Sequence, residues 1–171
     1  MTCAPSIEEV LGRNLRFLRW LGARVAESTT PARRAQFTRE LARALLARLD
    51  AVEEHVVPGL LACGLGEGLA ADLQPGEAVR SALGAAATCD PGDASALERH
   101  ARAVRGVLDR VEEEYALLEP LLQHLLPRPA ALALGAACAS AFSAWPATDS
   151  QWGALDDRAG APRSAPMDLD E

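Results

Sequence analysis

Apolar residues recur along this chain every three or four positions, which is the period of an α-helix. The first such stretch runs from about Ser6 to Glu27, with acidic residues directly after Ser6 as expected at a helix start. Its stripe consists of Ile7, Leu11, Leu18, Leu21 and Val25, with Asn14 on the same face. Pro31 cannot continue this helix but is well suited to open the next one.

The second helix is predicted from about Ala32 to Leu61, with Arg48 on its apolar stripe and a kink near Pro58. The apolar members of the stripe are Phe37, Leu41, Leu45, Val52 and Val56. A glycine-rich connection leads to a short third helix, roughly Pro75 to Ala87. Gly76 falls on the inward line of that helix, together with Val79, Leu83 and Ala86.

The fourth helix has the longest pattern, from about Ala94 to Leu125, after a turn at Asp90–Asp93. Its main stripe holds Leu97, Ala101, Val104, Leu108, Val111, Tyr115, Leu118 and Leu122. A second line beside it holds His100, Ala103, Val107, Arg110, Glu114, Leu117 and Leu121, which predicts a broad buried face. A short alanine-rich helix from Pro129 to about Ala144 is expected to pack across one end of the bundle.

These elements predict an all-α protein with an up-and-down four-helix bundle over residues 1–145. Composition agrees, because Ala and Leu dominate and aromatic residues make up only 4%. From Pro146 onward Asp, Ser, Gly, Pro and Ala dominate, so residues 146–171 are predicted to be a flexible acidic tail.

The net charge of −7 argues against nucleic-acid binding, because phosphates are gathered by a basic surface. No apolar run reaches the roughly 18 residues of a membrane span, so no membrane association is predicted. The start of the chain does not resemble a signal peptide, and the four cysteines are scattered without metal-binding spacing. We therefore expect a cytoplasmic protein with reduced thiols.

Candidate chemistry is sparse. His55, His100 and His124 do not form a ligand pair with one another or with a carboxylate at helical spacing. His55 and His124 are interpreted as surface residues, and His100 as a core or boundary residue. No nucleophile–base spacing or phosphate-binding loop is present, so no enzymatic activity is predicted.

Two segments have acidic residues followed by apolar residues and a proline, namely ELARALLARLDAVEEHVVPGLL (40–61) and LDRVEEEYALLEPLLQHL (108–125). They resemble the ligand-bearing helices of the hemerythrin-like, HHE cation-binding family. Family helices read His-x-x-x-Glu-Glu, then apolar residues and Pro. VLGRNLRFL in the first helix and CDPGD (89–93) are similar as well. The resemblance spans about residues 6–145 and implies a hemerythrin-like bundle with iron at its centre.

Most positions that would hold the metal carry other residues. The expected histidines fall on Asn14, Arg48, Gly76 and Arg110, and the expected second-helix glutamate falls on Val52. Only Glu114 stands where a carboxylate ligand is expected. A guanidinium has no lone pair to give to a metal. The resemblance therefore implies a degenerate member with no cofactor, with Glu114 as the one residual candidate ligand.

In one hypothesis, Arg48 and Arg110 replace the charge of the metal and pair with Glu114 at the centre of the bundle. Glu114→Ala would then cost about 3–5 kcal/mol, as for a broken buried ion pair. In the alternative, both arginines extend to the surface along their apolar stems.

The resulting prediction is a non-catalytic hemerythrin-like bundle that acts as an interaction or regulatory protein, with a protein partner of unknown identity. One alternative is a metal-binding protein with an unorthodox site, formed by Glu53, Glu54, His55, Glu114 and His100. A second alternative is a small ligand in the vacated centre, in a cavity lined by Asn14, Val52, Val79 and Val107.

Trp20 is expected on the outer face of the first helix, while Trp145 and Trp152 either fold back on the bundle or anchor a partner. Nothing in the sequence fixes the oligomeric state.

Overall fold

A computed structural model describes residues 4–65, 68, 73, 75–146 and 151–152, and this part of the chain is helical with no strand. The helices are α1 (Ile7–Glu27), α2 (Pro31–Ala51), a π-helical turn (Val52–Val56), α3 (Val57–Ala62), α4 (Glu77–Ala86), α5 (Ala94–His124) and α6 (Arg128–Ala141). The predicted all-α class is confirmed.

The helix starts follow from local capping. The Ser6 N–H donates to Glu9 Oε2 at 2.9 Å, ahead of α1. Asp93 Oδ1 accepts from the Ala96 N–H at 2.8 Å, ahead of α5. Pro31 occupies the first turn of α2, where a missing N–H costs nothing. These bonds satisfy N–H groups that have no partner within the helix.

A π-helical turn precedes Pro58, where the sequence predicted a kink. The Val57 N–H donates to the carbonyl of Val52, five residues earlier. Proline lacks a donor and its ring crowds the carbonyl four residues before it, so a wider turn relieves the clash. The backbone thereby stays helical through α3, up to Ala62.

α1 packs against α2 and α5, α4 packs against the same two helices, and α2 and α5 also pack directly against each other. α6 lies against α1, α2 and the π-helical turn. The interior divides into two main clusters. The first contains Leu18, Leu41, Leu83 and Val104 among others. The second contains Leu11, Val56, Leu118 and Cys138 among others.

The ten-residue α4 contributes buried side chains to the first cluster, and α6 contributes to the second. Through the second cluster, α6 packs with the start of α1, the π-helical turn after α2 and the last turns of α5. These segments lie together at one end of the bundle, where the sequence placed this helix. There α6 lies directly against the N-terminal part of α1. Gly135 makes this possible, because a Cβ there would lie only 2.2 Å from the carbonyl oxygen of Pro5.

The broad buried face predicted for α5 is wrong. Its main stripe is buried at Leu97, Ala101, Val104, Leu108, Val111, Leu118 and Leu122. On the second line, Leu117 is 62% exposed, Arg110 is exposed, and the remaining members are only partly buried. The short α4 packs on α5 without covering this line.

Trp152 is 8% exposed and belongs to the first cluster, although it falls in the predicted flexible tail. Residues 147–150 and 153–171 of that tail lie outside the described residues. Within the described part, no helix combines the length and apolar character that crossing a bilayer requires.

Candidate ligand-binding site

Arg48 is the most deeply buried charge among the described residues, with 3% of its surface exposed. Its Nη1 donates to the carbonyl oxygen of Leu11 at 3.1 Å and to Asn14 Oδ1 at 2.9 Å. Leu11 and Asn14 are three residues apart on α1 and so lie on the same face. Its guanidinium carbon lies 5.6 Å from the centre of the Tyr115 ring, which is within cation–π range.

Burial lowers the pKa of Arg48 to about 10, and the charges of Tyr115, Glu114 and Cys138 act in the opposite direction. Arg48 therefore keeps its proton at neutral pH. No carboxylate in the described part of the chain lies within ion-pair distance of it. The α1–α2 interface thus contains a positive charge that is held by neutral oxygens and an aromatic ring.

The positions assigned to the missing metal ligands do not come together. Asn14 and Arg48 are buried and bonded to each other. Gly76 is exposed just before α4, so its predicted inward position is wrong. Arg110 is exposed as well, and its Nε donates to Glu114 Oε1 at 2.8 Å along the outer side of α5. The hypothesis of a central Arg48–Glu114–Arg110 cluster is therefore wrong.

The residues at these positions do not fit a di-iron centre. A guanidinium offers only donors, and Gly76 has no side chain. Glu114 is partly buried but shares its carboxylate with Arg110. The donor set is one amide oxygen and one carboxylate that is already paired, which is far from the His and carboxylate shell that iron requires.

The alternative metal ligands are also dispersed. Glu53 is exposed and forms an ion pair with Arg80, which also binds Asp50. His55 and His100 are partly buried, whereas His124 is exposed. Within the described ranges, no three His, Cys, Asp or Glu side chains are grouped closely enough to hold a metal ion.

A groove of about 310 Å³ lies between α1 and the segment that contains the end of α6 and the residues after it. Its walls are mainly apolar, with Asn14 and Arg13 as the polar groups from α1. The lining residues are Val10, Arg13, Asn14, Phe17, Ala139, Phe142, Ser143, Trp145 and Pro146. The groove is therefore linked to Arg48 through Asn14, which contacts both.

Several aromatic rings pack together around Phe17, which lines the groove. The ring centres of Phe17 and Trp152 are 5.6 Å apart, and those of Trp20 and Trp152 are 5.8 Å apart. Trp20 also meets the Phe37 ring edge-on, so it is not simply on the outer face of α1 as predicted. Both Trp145 and Trp152 fold back on the helices, which was one of the two predicted alternatives.

The four residues predicted to line a central cavity are divided between different places. Asn14 lines the groove, and Val52 lies in the second cluster. Val79 and Val107 pack against the first cluster. The sequence indicated Asn14 but not the groove, because no spacing along the chain relates Phe142, near the end of the last predicted helix, or Trp145, just after it, to α1.

Comparisons of the chain with protein-family models, with curated proteins and with solved structures found no match.

Proposed function

We propose that this protein is a non-catalytic binding protein. It would be an up-and-down four-helix bundle of the hemerythrin-like kind that works without a di-iron centre. It would hold a small, largely apolar molecule in the groove between α1 and the segment from Ala139 to Pro146. The mutual packing of α1, α2, α4 and α5 supports a helical bundle.

The groove carries the functional part of this proposal. Small-molecule sites are concave, mainly apolar and equipped with a few fixed polar groups. Here Phe17, Phe142 and Trp145 supply apolar surface, and Asn14 is held in place by Arg48. The volume of about 310 Å³ is at the small end of the range for such sites. It therefore favours a small molecule over the macromolecular partner considered from the sequence alone.

A reducing compartment such as the cytoplasm fits this proposal, because Cys63, Cys89 and Cys138 are free thiols. Burial raises the pKa of Cys138 to about 11 and also raises the pKa of Cys89. Since the thiolate is the reactive form, these two cysteines are unsuited to nucleophilic chemistry.

Ligand-observed NMR with a panel of small aromatic and aliphatic molecules tests the proposal. Ala139 lines the groove, so Ala139→Phe fills it, and we expect this variant to lose binding. Ala136 is exposed on the same helix, so Ala136→Phe is a matched control that should retain binding. Binding that survives Ala139→Phe, or no binding by any panel member to the parent protein, contradicts the proposal.

Elemental analysis tests the proposal that the protein works without a bound metal. The protein is expressed in medium supplemented with iron, zinc and manganese and is purified without chelator or histidine tag. We expect metal far below one equivalent per chain. Stoichiometric iron that survives dialysis contradicts the proposed loss of the metal centre and supports the metal-binding alternative.

A further inference from the structure

The side chain of Asn14 has a fixed orientation. A guanidinium contains only hydrogen-bond donors, so the Asn14 atom that faces Arg48 Nη1 at 2.9 Å must be the oxygen. The amide nitrogen is thereby turned away from Arg48. It donates no hydrogen bond to any residue that the structure describes, although only 7% of Asn14 is exposed. It is not among the unpartnered polar atoms that are fully shielded from solvent, so it is open to water or to a molecule in the groove.

Asn14 lines the groove, so a molecule bound there is the natural acceptor for its amide nitrogen. The electrostatic setting favours a negative one. The protonated guanidinium of Arg48 lies directly behind Asn14, and Arg13 lines the groove on the same helix. None of the described residues that line the groove is acidic. The Ser143 hydroxyl adds a further possible donor.

We infer that the groove selects small organic acids, with an apolar body against Phe17, Phe142 and Trp145 and a carboxylate directed to Asn14 Nδ2 and Arg13. A carboxylate is an acceptor-only group, so it matches the N–H donors of Asn14 and Arg13. Hydrogen bonds to an ionised acceptor are about twice as strong as neutral ones. This inference rests on the proposed function, and it adds the chemical class of the ligand.

Two probe pairs test it by calorimetry: phenylacetate with phenylacetamide, and 1-naphthylacetate with 1-naphthylacetamide. The two members of each pair have nearly the same shape and differ only in carrying a carboxylate or an amide. Of the two carboxylates, the one with the higher affinity should bind about ten-fold more tightly than its own amide. One charge-assisted hydrogen bond supplies a difference of this size.

The outcomes separate the two proposals. Equal affinity for acid and amide, abolished in both cases by Ala139→Phe, overturns the inference but leaves the groove function standing. The absence of binding by all four probes at millimolar concentration overturns the inference and counts against the groove function as well.

Asn14→Asp is the most informative variant. It replaces the donor with a carboxylate of the same shape, which forms an ion pair with Arg48, so the protein should remain folded. We expect it to lose at least about ten-fold in affinity for the carboxylate probe, through the lost donor and the added negative charge. An unchanged urea midpoint or a higher one confirms folding. Carboxylate binding as tight as that of the parent protein overturns the inference.

Arg13→Gln and Arg16→Gln form a matched pair on α1. Both arginines are exposed, but only Arg13 lines the groove. We expect Arg13→Gln to weaken the carboxylate probe several-fold and the amide probe little, and Arg16→Gln to change neither. Equal effects of the two substitutions would indicate general surface attraction and contradict a role for Arg13.

Discussion

Arg48 on α2 and Asn14 on α1 are joined by a buried hydrogen bond of 2.9 Å between Nη1 and Oδ1. The bond places a charged side chain at the interface of two helices and fixes the orientation of the amide that faces the groove. Both residues occupy positions where the resemblance to hemerythrin-like proteins expected metal-binding histidines. Here the pair connects the two helices directly.

Asn14→Leu should destabilise the protein more than Arg48→Met. The first leaves the Arg48 charge with the Leu11 carbonyl as its remaining hydrogen-bond acceptor, at a cost of about 3 kcal/mol. The second leaves neutral oxygens unsatisfied, at a cost of about 1–2 kcal/mol. The double variant should be more stable than the sum of the two costs predicts, by about 1–3 kcal/mol. Urea unfolding gives the free energy of unfolding of the parent protein, the two single variants and the double variant. If the two losses of stability simply add in the double variant, the pair is not coupled.

Glu114→Ala should have a mild effect. The Glu114 carboxylate pairs with Arg110 four residues away on the outer side of α5, and Arg110 is exposed. Such pairs contribute less than about 1 kcal/mol. The central cluster considered from the sequence would instead give about 3–5 kcal/mol. A measured loss of that size in urea unfolding would restore the central arrangement and contradict the structure.

Gly135→Ala should destabilise the contact between α6 and α1. An added Cβ would lie 2.2 Å from the Pro5 carbonyl oxygen and 2.8 Å from the Ser6 carbonyl carbon. Both are backbone atoms, so the helices must separate, at a cost of about 2–3 kcal/mol. Gly106→Ala is the control, because nothing lies within 4 Å of its Cβ position in α5. It should stabilise the protein by about 0.5–1 kcal/mol. Thermal melting compares the parent protein with the two variants. Equal melting temperatures would contradict the close approach of α6 to α1.

Trp152→Ala should cost about 3 kcal/mol, since it removes a large ring from the first cluster. Trp152→Phe should retain much of this stability by keeping an aromatic contact with Phe17. Urea unfolding followed by circular dichroism avoids the change in tryptophan fluorescence. An effect below about 0.5 kcal/mol for Trp152→Ala would instead indicate that this residue behaves as part of a flexible tail.

Alkaline pH should destabilise the protein partly through Cys138. Burial raises the pKa of its thiol from 9.0 to about 11. Because the pKa is higher in the folded state, the contribution to stability is complete below about pH 9 and is lost as the pH rises through 11. We expect the stability of Cys138→Ala to fall less over this interval than that of the parent protein, by about 1–2 kcal/mol. Parallel pH profiles of the two proteins would contradict this assignment. Arg48, Tyr115 and Cys89 also have shifted pKa values, but they are present in both proteins and largely cancel.

The prediction of the helices succeeded because their signals are local. The turn at Asp90–Asp93, the proline at position 31 and the apolar stripe of α5 each depend on residues that are close along the chain. Arg48 and Arg110 show that such local signals do not predict which face of a helix is buried. Both lie on apolar lines, yet Arg48 is buried between α1 and α2 while Arg110 faces outward from α5. A helical period shows which residues share a face, but not whether another helix covers that face.

The sequence by itself determined the helical class and the approximate helix boundaries. Both depend on residue types at fixed spacings along one chain segment. Only the tertiary structure decided that Asn14 meets Arg48, that Gly135 lets α6 approach α1, and that Phe142 and Trp145 line a groove with Asn14. These contacts join residues from distant parts of the chain. They depend on how whole helices pack, because that packing decides where two helices touch and where a groove remains between them.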